Sequence, residues 1–406
     1  MRTKILSAAV VILSLVAILV PAARAGLLLP RPDADPFYAV PDGIDHLTPG
    51  DVIDARPIRA TVLSVPIAAN AWQIRYRTID QHGAASAYVA TVLVPLAPWV
   101  GGGPRPLLAY NAIEAGLSLA CTASYALRAG LAAPATSVAK YETGAIALAV
   151  ARGWAVVVPD YQGPRSEYLG MDGYATGVLD AIRTARRFAP AGVGDDAPIG
   201  VMGYSAGALA TVAAALAQPS YAPDITIAGV ASGGTPGDIV TTTRAFSGDT
   251  LGGILGVILG GIDRSYPKLD LSRYLNAEGR AALAAGRDDC LLDGAVRHPR
   301  ASIEDWATDP KLLDRPRVRR VMREMSPLTR RGNVASPILL HHAGFDEYAP
   351  LEEMQALAER FCVDGVAVQT TVVPALTHFS YGPVSAGNAF DYLADRFAAQ
   401  PAPSQC

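Results

Sequence analysis

Pro198-Ile199-Gly200-Val201-Met202-Gly203-Tyr204-Ser205-Ala206-Gly207 runs straight into Ala208-Leu209-Ala210-Thr211-Val212-Ala213-Ala214-Ala215-Leu216-Ala217-Gln218. A short apolar run of strand type ends on Gly-Tyr-Ser-Ala-Gly, and an alanine-rich stretch of helix type follows at once. A G-x-S-x-G between strand and helix is a sharp turn that lifts the serine hydroxyl clear of the sheet. Gly203 and Gly207 stand where a Cβ would clash between the two elements. The N–H of Ala206 falls at a helix start, where it can stabilise negative charge on an oxygen. Ser205 is therefore the candidate nucleophile. In a chain with 38 glycines the bare pentapeptide is weak; its strand–turn–helix setting carries the reading.

A serine needs a general base, and the base needs an orienting acid. With a nucleophile elbow the order along the chain is serine, acid, histidine. After Ser205, Ile338-Leu339-Leu340-His341-His342 reads as a strand and leads into Ala343-Gly344-Phe345-Asp346-Glu347-Tyr348-Ala349-Pro350. Asp346 sits in the register of the orienting acid, with Glu347 one residue off. The next strand ends in Val372-Val373-Pro374-Ala375-Leu376-Thr377-His378. His378, 32 residues after Asp346 and expected on a loop, is the candidate base. Of the other five histidines, His46 and His82 come too early, His298 lies among later helices, and His341 and His342 precede the acid. Structural roles are expected for these. Asp160 ends a strand but precedes the serine, so it too reads as structural. A second oxyanion donor is expected from the loop Tyr110-Asn111-Ala112-Ile113-Glu114-Ala115-Gly116-Leu117, at the N–H of Ala115 or a neighbour.

The surrounding pattern sets the fold. Strands are expected at Thr61–Val65, Trp72–Thr78, Ala87–Pro95, Leu107–Ala112, Trp154–Pro159, Ile225–Ala231 and Val366–Val373 as well as beside the sites above. Helices are expected at Tyr141–Arg152, Gly173–Phe188, Pro350–Phe361 and Ala386–Ala398. Strands alternating with helices imply an α/β-hydrolase fold, with a mostly parallel central sheet and helices on both faces. From 236 to 330 the strand pattern stops, and helical stretches such as Ser272–Ala285 and Asp309–Met325 take over. A structureless loop of that length is improbable in a compact domain, so this reads as an inserted helical cap. Within it, the glycine-rich Leu251–Ile262 is either a lipid-facing flap or close helix packing. The organisation is then a leader (1–25), an N-terminal arm rich in proline and aspartate (26–57), a core in two parts (58–235 and 331–406) and the cap.

The chain has 406 residues, half of them apolar, and a net charge of −3, which gives no electrostatic case for nucleic acid. Arg2 and Lys4 precede the apolar run Ile5–Val20, then Pro21 and Ala23-Arg24-Ala25. This has the form of a secretory signal peptide cleaved after Ala25, and no further stretch is both long and apolar enough to span a bilayer. Four cysteines, Cys121, Cys290, Cys362 and Cys406, suit two disulfides in an exported chain, with three possible connectivities. No Cys/His spacing suits a metal, and the expected chemistry needs no cofactor.

Taken together, several segments resemble the secretory lipase family, the fungal lipase A type with bacterial members. They are Asp35-Pro36-Phe37-Tyr38, Pro49-Gly50-Asp51-Val52-Ile53, Tyr110 through Cys121 to Ser124-Tyr125-Ala126-Leu127, and Pro159-Asp160-Tyr161-Gln162-Gly163-Pro164. The Ser205 elbow and Gly233-Gly234 with Pro236 and Asp238 complete the set. The resemblance spans roughly residues 35–400. It implies an esterase or lipase with a capped site, the triad at Ser205, Asp346 and His378, and disulfides Cys121–Cys290 and Cys362–Cys406. The family often carries Glu-Asp where this chain has Glu114-Ala115, so a backbone donor survives but that aspartate side chain is absent.

The expectation is a secreted serine ester hydrolase of triacylglycerol lipase type. Its partner would be a lipid or other ester, met at an oil–water or membrane interface. A carboxylesterase, acyltransferase or peptidase on the same fold, or a non-catalytic binding protein, are the rivals. Oligomeric state is not legible.

Overall fold

The computed structural model describes residues 29–406, so the leader read at residues 1–25 lies outside the described residues. The strands are β1 (Val52–Ile58), β2 (Thr61–Val62), β3 (Val65–Pro66), β4 (Ala69–Ile79), β5 (Ala85–Pro95), β6 (Leu107–Asn111), β7 (Ala155–Pro159), β8 (Ile199–Tyr204), β9 (Ile227–Gly233), β10 (Ile338–Phe345) and β11 (Val368–Thr377). Nine of them form one sheet in the order β1-β4-β5-β7-β6-β8-β9-β10-β11. From β7 to β11 every neighbouring pair is parallel, while β1, β4 and β5 add an antiparallel flank.

Central strands such as Leu107–Asn111 and Ala155–Pro159 are buried along their whole length. Such unbroken apolar runs are what a parallel sheet covered on both faces selects. Alternation divides their side chains between two cores. Leu107 and Ala109 point into one with Val157 and Leu209, whereas Leu108 and Tyr110 point into the other with Ile146 and Leu393. The helices that cover the faces are α1 (Ala123–Ala129), α2 (Ala139–Ala151), α3 (Met171–Arg187) and α4 (Ala206–Tyr221).

Between β9 and β10 the chain forms α5 (Ile239–Phe246), α6 (Ile254–Ser265), α7 (Ala277–Ala285), α8 (Leu291–Arg297), α9 (Ile303–Trp306) and α10 (Pro316–Met325). After β10 come α11 (Leu351–Val363) and α12 (His378–Phe397). The glycine-rich stretch is α6 and is packed: Gly260 meets Leu117 and Gly261 meets Tyr168, contacts a larger residue would block.

The structure departs from the sequence reading in several places. The arm contains β1, which pairs with β4, so the sheet begins inside 26–57. Earlier, Phe37 and Tyr38 are buried against Val89. Thr61–Val65 is a small separate hairpin of β2 and β3. Helix α1 was not expected. The two long cap helices are each broken: the Asn276 side chain accepts the Gly279 N–H and starts α7 afresh, and Pro316 stands at the first turn of α10. Cap and core are joined by Cys121–Cys290, and Cys362–Cys406 ties α11 to the last residue. Among the described residues no helix is long and apolar enough to cross a membrane.

Candidate active site

Ser205 lies between β8 and α4 at φ 54° and ψ −118°, a conformation costly for a residue with a Cβ. Its surroundings hold it there. The Ser205 N–H donates to the Gly233 carbonyl at 2.9 Å, tying the turn to the end of β9. A Cβ on Gly207 would overlap the carbonyl oxygen of Asn111, and one on Gly203 would overlap the backbone of Gly207. The two glycines therefore let β8, α4 and the end of β6 meet.

His378 is not on a loop. It is the first residue of α12, with Thr377 as cap, so the helix begins eight residues before the expected Ala386. Its Nε2 lies 2.8 Å from Ser205 Oγ, and its Nδ1 lies 2.8 Å from Asp346 Oδ2. Facing a carboxylate, Nδ1 carries the hydrogen, which leaves Nε2 to accept from the serine. Two further contacts position it. Tyr204 donates its hydroxyl to the His378 carbonyl at 2.7 Å, and Glu347 accepts the His378 N–H at 2.8 Å. Neither role was legible in sequence, because each depends on where α12 begins.

Asp346 forms its own turn: Oδ1 accepts from the N–H groups of Tyr348 (3.1 Å) and Ala349 (2.8 Å). Burial pushes its carboxyl up, but the hydrogen bond and charge of His378, with the Ala349 N–H, outweigh this and hold it below the usual carboxylate range. His342 Nε2 donates to the Ala349 carbonyl at 2.6 Å and lies 3.5 Å from Asp346. Burial pushes the His342 imidazole down and that of His341 down to about 3, so both are neutral. Tyr348 joins this turn to the cap, stacking on Phe246 at 4.0 Å and donating to Asp249 at 2.9 Å.

Ala206 and Ala115 line one cavity with Ser205 and His378. Among the described residues the N–H of neither has a protein acceptor. The cavity holds about 1120 Å³, and its roof comes from Ile239, Phe246, Leu251, Ile254, Ile258 and Leu291 of the cap. One face of α6 thus covers the site.

Asp160 is elsewhere. It accepts from the N–H and hydroxyl of Ser124, whose hydroxyl is 2.9 Å from Tyr38. Glu114 accepts the Ala123 N–H at 2.9 Å and shares a proton with Asp160. Burial is the main cause that pushes Glu114 well up and Asp160 up to about 6.

A right-angled serine–imidazole–carboxylate array on the elbow of this sheet, under a helical insertion, defines an α/β-hydrolase. The Secretory lipase family model matches residues 128–405, and the chain belongs to that family. It is 34% identical to the "Probable inactive lipase MT1628" of Mycobacterium tuberculosis, over 91% of this chain and 83% of that protein. It is 28% identical to Lipase 5 of Candida albicans, over 97% and 87%. Among solved structures, Candida antarctica lipase A superposes with a TM-score of 0.83 and 26% identity, over 92% of this chain and 88% of that one. The rice cell wall degrading esterase LipA of Xanthomonas oryzae shares the fold, with a TM-score of 0.66 and 17% identity.

Proposed function

We propose that the protein is a secreted serine ester hydrolase acting on lipid esters, triacylglycerols foremost. The observation that carries this is His378 bridging Ser205 and Asp346 at 2.8 Å on each side, on the wall of a large apolar cavity. His378 takes the Ser205 proton as Oγ attacks the ester carbonyl. Asp346 holds the imidazole and stabilises its charged form. The N–H groups of Ala206 and Ala115 receive the oxyanion. The alcohol leaves with the proton from His378, and water, deprotonated by the same base, frees the acid and restores the serine.

Hydrolysis of short- and long-chain triglycerides by the mature chain tests the reading. Long-chain turnover that Ser205→Ala lowers by about 10⁶-fold is the expected result. Turnover confined to short esters moves the reading to carboxylesterase. The relative named an inactive lipase favours a second reading, a hydrolase fold kept for binding. Fluorophosphonate labelling separates the two: covalent capture at Ser205 is expected, and an unreactive serine supports the binding protein.

A further inference from the structure

The loop from Ala112 to Gly116 is held from three sides. Tyr161 donates its hydroxyl to the Ala112 carbonyl at 2.7 Å and accepts the Glu114 N–H at 3.1 Å. The Glu114 carboxyl reaches away from Ser205, to the N–H of Ala123. The third hold is Glu142, in the first turn of α2. Its carboxyl accepts the Ile113 N–H, two residues before Ala115, and the Tyr110 hydroxyl at 3.1 Å. Glu142 also lines the cavity that contains Ser205, Ala206 and His378.

Among the described residues no cation pairs with it. The phenols of Tyr110 and, farther off, Tyr161 face it, and across the cavity stands His378. On its own helix, Lys140 turns to the carbonyls of Leu131 and Ala133, and Tyr141 to that of Ala135. Glu142 is thus a carboxyl in an apolar wall, holding the backbone that presents an oxyanion donor.

We propose that Glu142 positions the oxyanion loop as a neutral carboxylic acid, and that ionising it slows turnover. The proposal rests on reading Ala115 as an oxyanion donor. A neutral carboxyl still has lone pairs for both Ile113 and Tyr110. A carboxylate there would oppose the negative charge forming on the substrate oxygen, in a wall too dry to screen it. Burial supports the assignment by pushing the Glu142 carboxyl up to about 7 against the two hydrogen bonds.

The test is kcat against pH, from 5 to 9, for wild type, Glu142→Gln and Glu142→Ala, with Ser205→Ala as blank. The rate of fluorophosphonate labelling on the same proteins is a second readout that does not depend on the ester chosen. Wild type should lose about tenfold in kcat above neutrality as the acid ionises, while KM stays nearly constant. Glu142→Gln cannot ionise and should abolish that fall. Glu142→Ala releases Ile113 and should cost about tenfold in kcat at every pH, a loss that Gln rescues. An alkaline fall that persists in Glu142→Gln, or is missing from wild type, overturns the proposal and leaves the Ser205 reading intact. Turnover that survives Ser205→Ala overturns that reading instead.

Discussion

On the His378 side of Ser205 a buried carboxyl stays ionised, whereas on the side of the Ala112–Gly116 loop buried carboxyls are driven neutral. Asp346 and Glu114 are both almost fully buried. What separates them is the partner. Asp346 faces an imidazole that can take a proton, and two N–H groups aim at its other oxygen. Glu114 faces a second acid, Asp160, and like charges so close cannot both ionise. Burial alone does not decide ionisation; the group opposite does. The arrangement puts negative charge where a cation forms in turnover and withholds it where an anion forms.

The sharpest way to break this contrast is to neutralise Asp346. Asp346→Asn should lower kcat by about 10⁴-fold, because the imidazole loses both its tautomer and its counter-charge. Glu347→Gln, which touches only the His378 backbone, should cost about tenfold or less by the same assay. Equal losses would mean that the ionised acid is not Asp346.

The disulfides sharpen the comparison at the level of stability. Cys121–Cys290 links residues 169 apart, next to the loop that holds the neutral acids, and Cys362–Cys406 links residues 44 apart. In the chain-entropy account, removing the first with paired serines should cost about 1 kcal/mol more than removing the second, read from urea midpoints.

The smallest effect is a slope. Glu114 and Asp160 retain a proton in the folded state that the unfolded chain releases above pH of about 4. Their contribution to stability is therefore present below that pH and declines as pH rises through about 6, by at most about 1.4 kcal/mol per unit for one proton. Asp346 works in the opposite sense: its contribution is present above the unfolded value and is lost as acid protonates it. Denaturant midpoints from pH 3 to 8 should show a maximum between the two. Asp160→Asn should flatten the decline on the alkaline side and leave the acid side as it was.

Much of the sheet could be read locally, because central strands such as Ala155–Pro159 are unbroken apolar runs that local hydropathy reveals. β1 was missed because Val52–Ile58 is only half-buried and is a strand by virtue of its pairing with β4. The start of α12 was missed because Pro383 sits inside it, and a proline normally argues against a continuing helix. Glu142 escaped notice because it looks like any acid in the first turn of a helix. The contact that sets it apart crosses to a loop 29 residues away.

By itself the sequence determined the elbow at Ser205, the chain order in which Asp346 and His378 follow it, and the place of the helical insertion. These are local matters of glycine sterics, strand ends and hydropathy. Only the tertiary structure decided which cysteines pair, that Tyr204 and Glu347 hold the His378 backbone, and which buried acids keep their charge. Each of those depends on what stands opposite a side chain across the fold, and ionisation in a dry interior is set by that neighbour rather than by the residue itself.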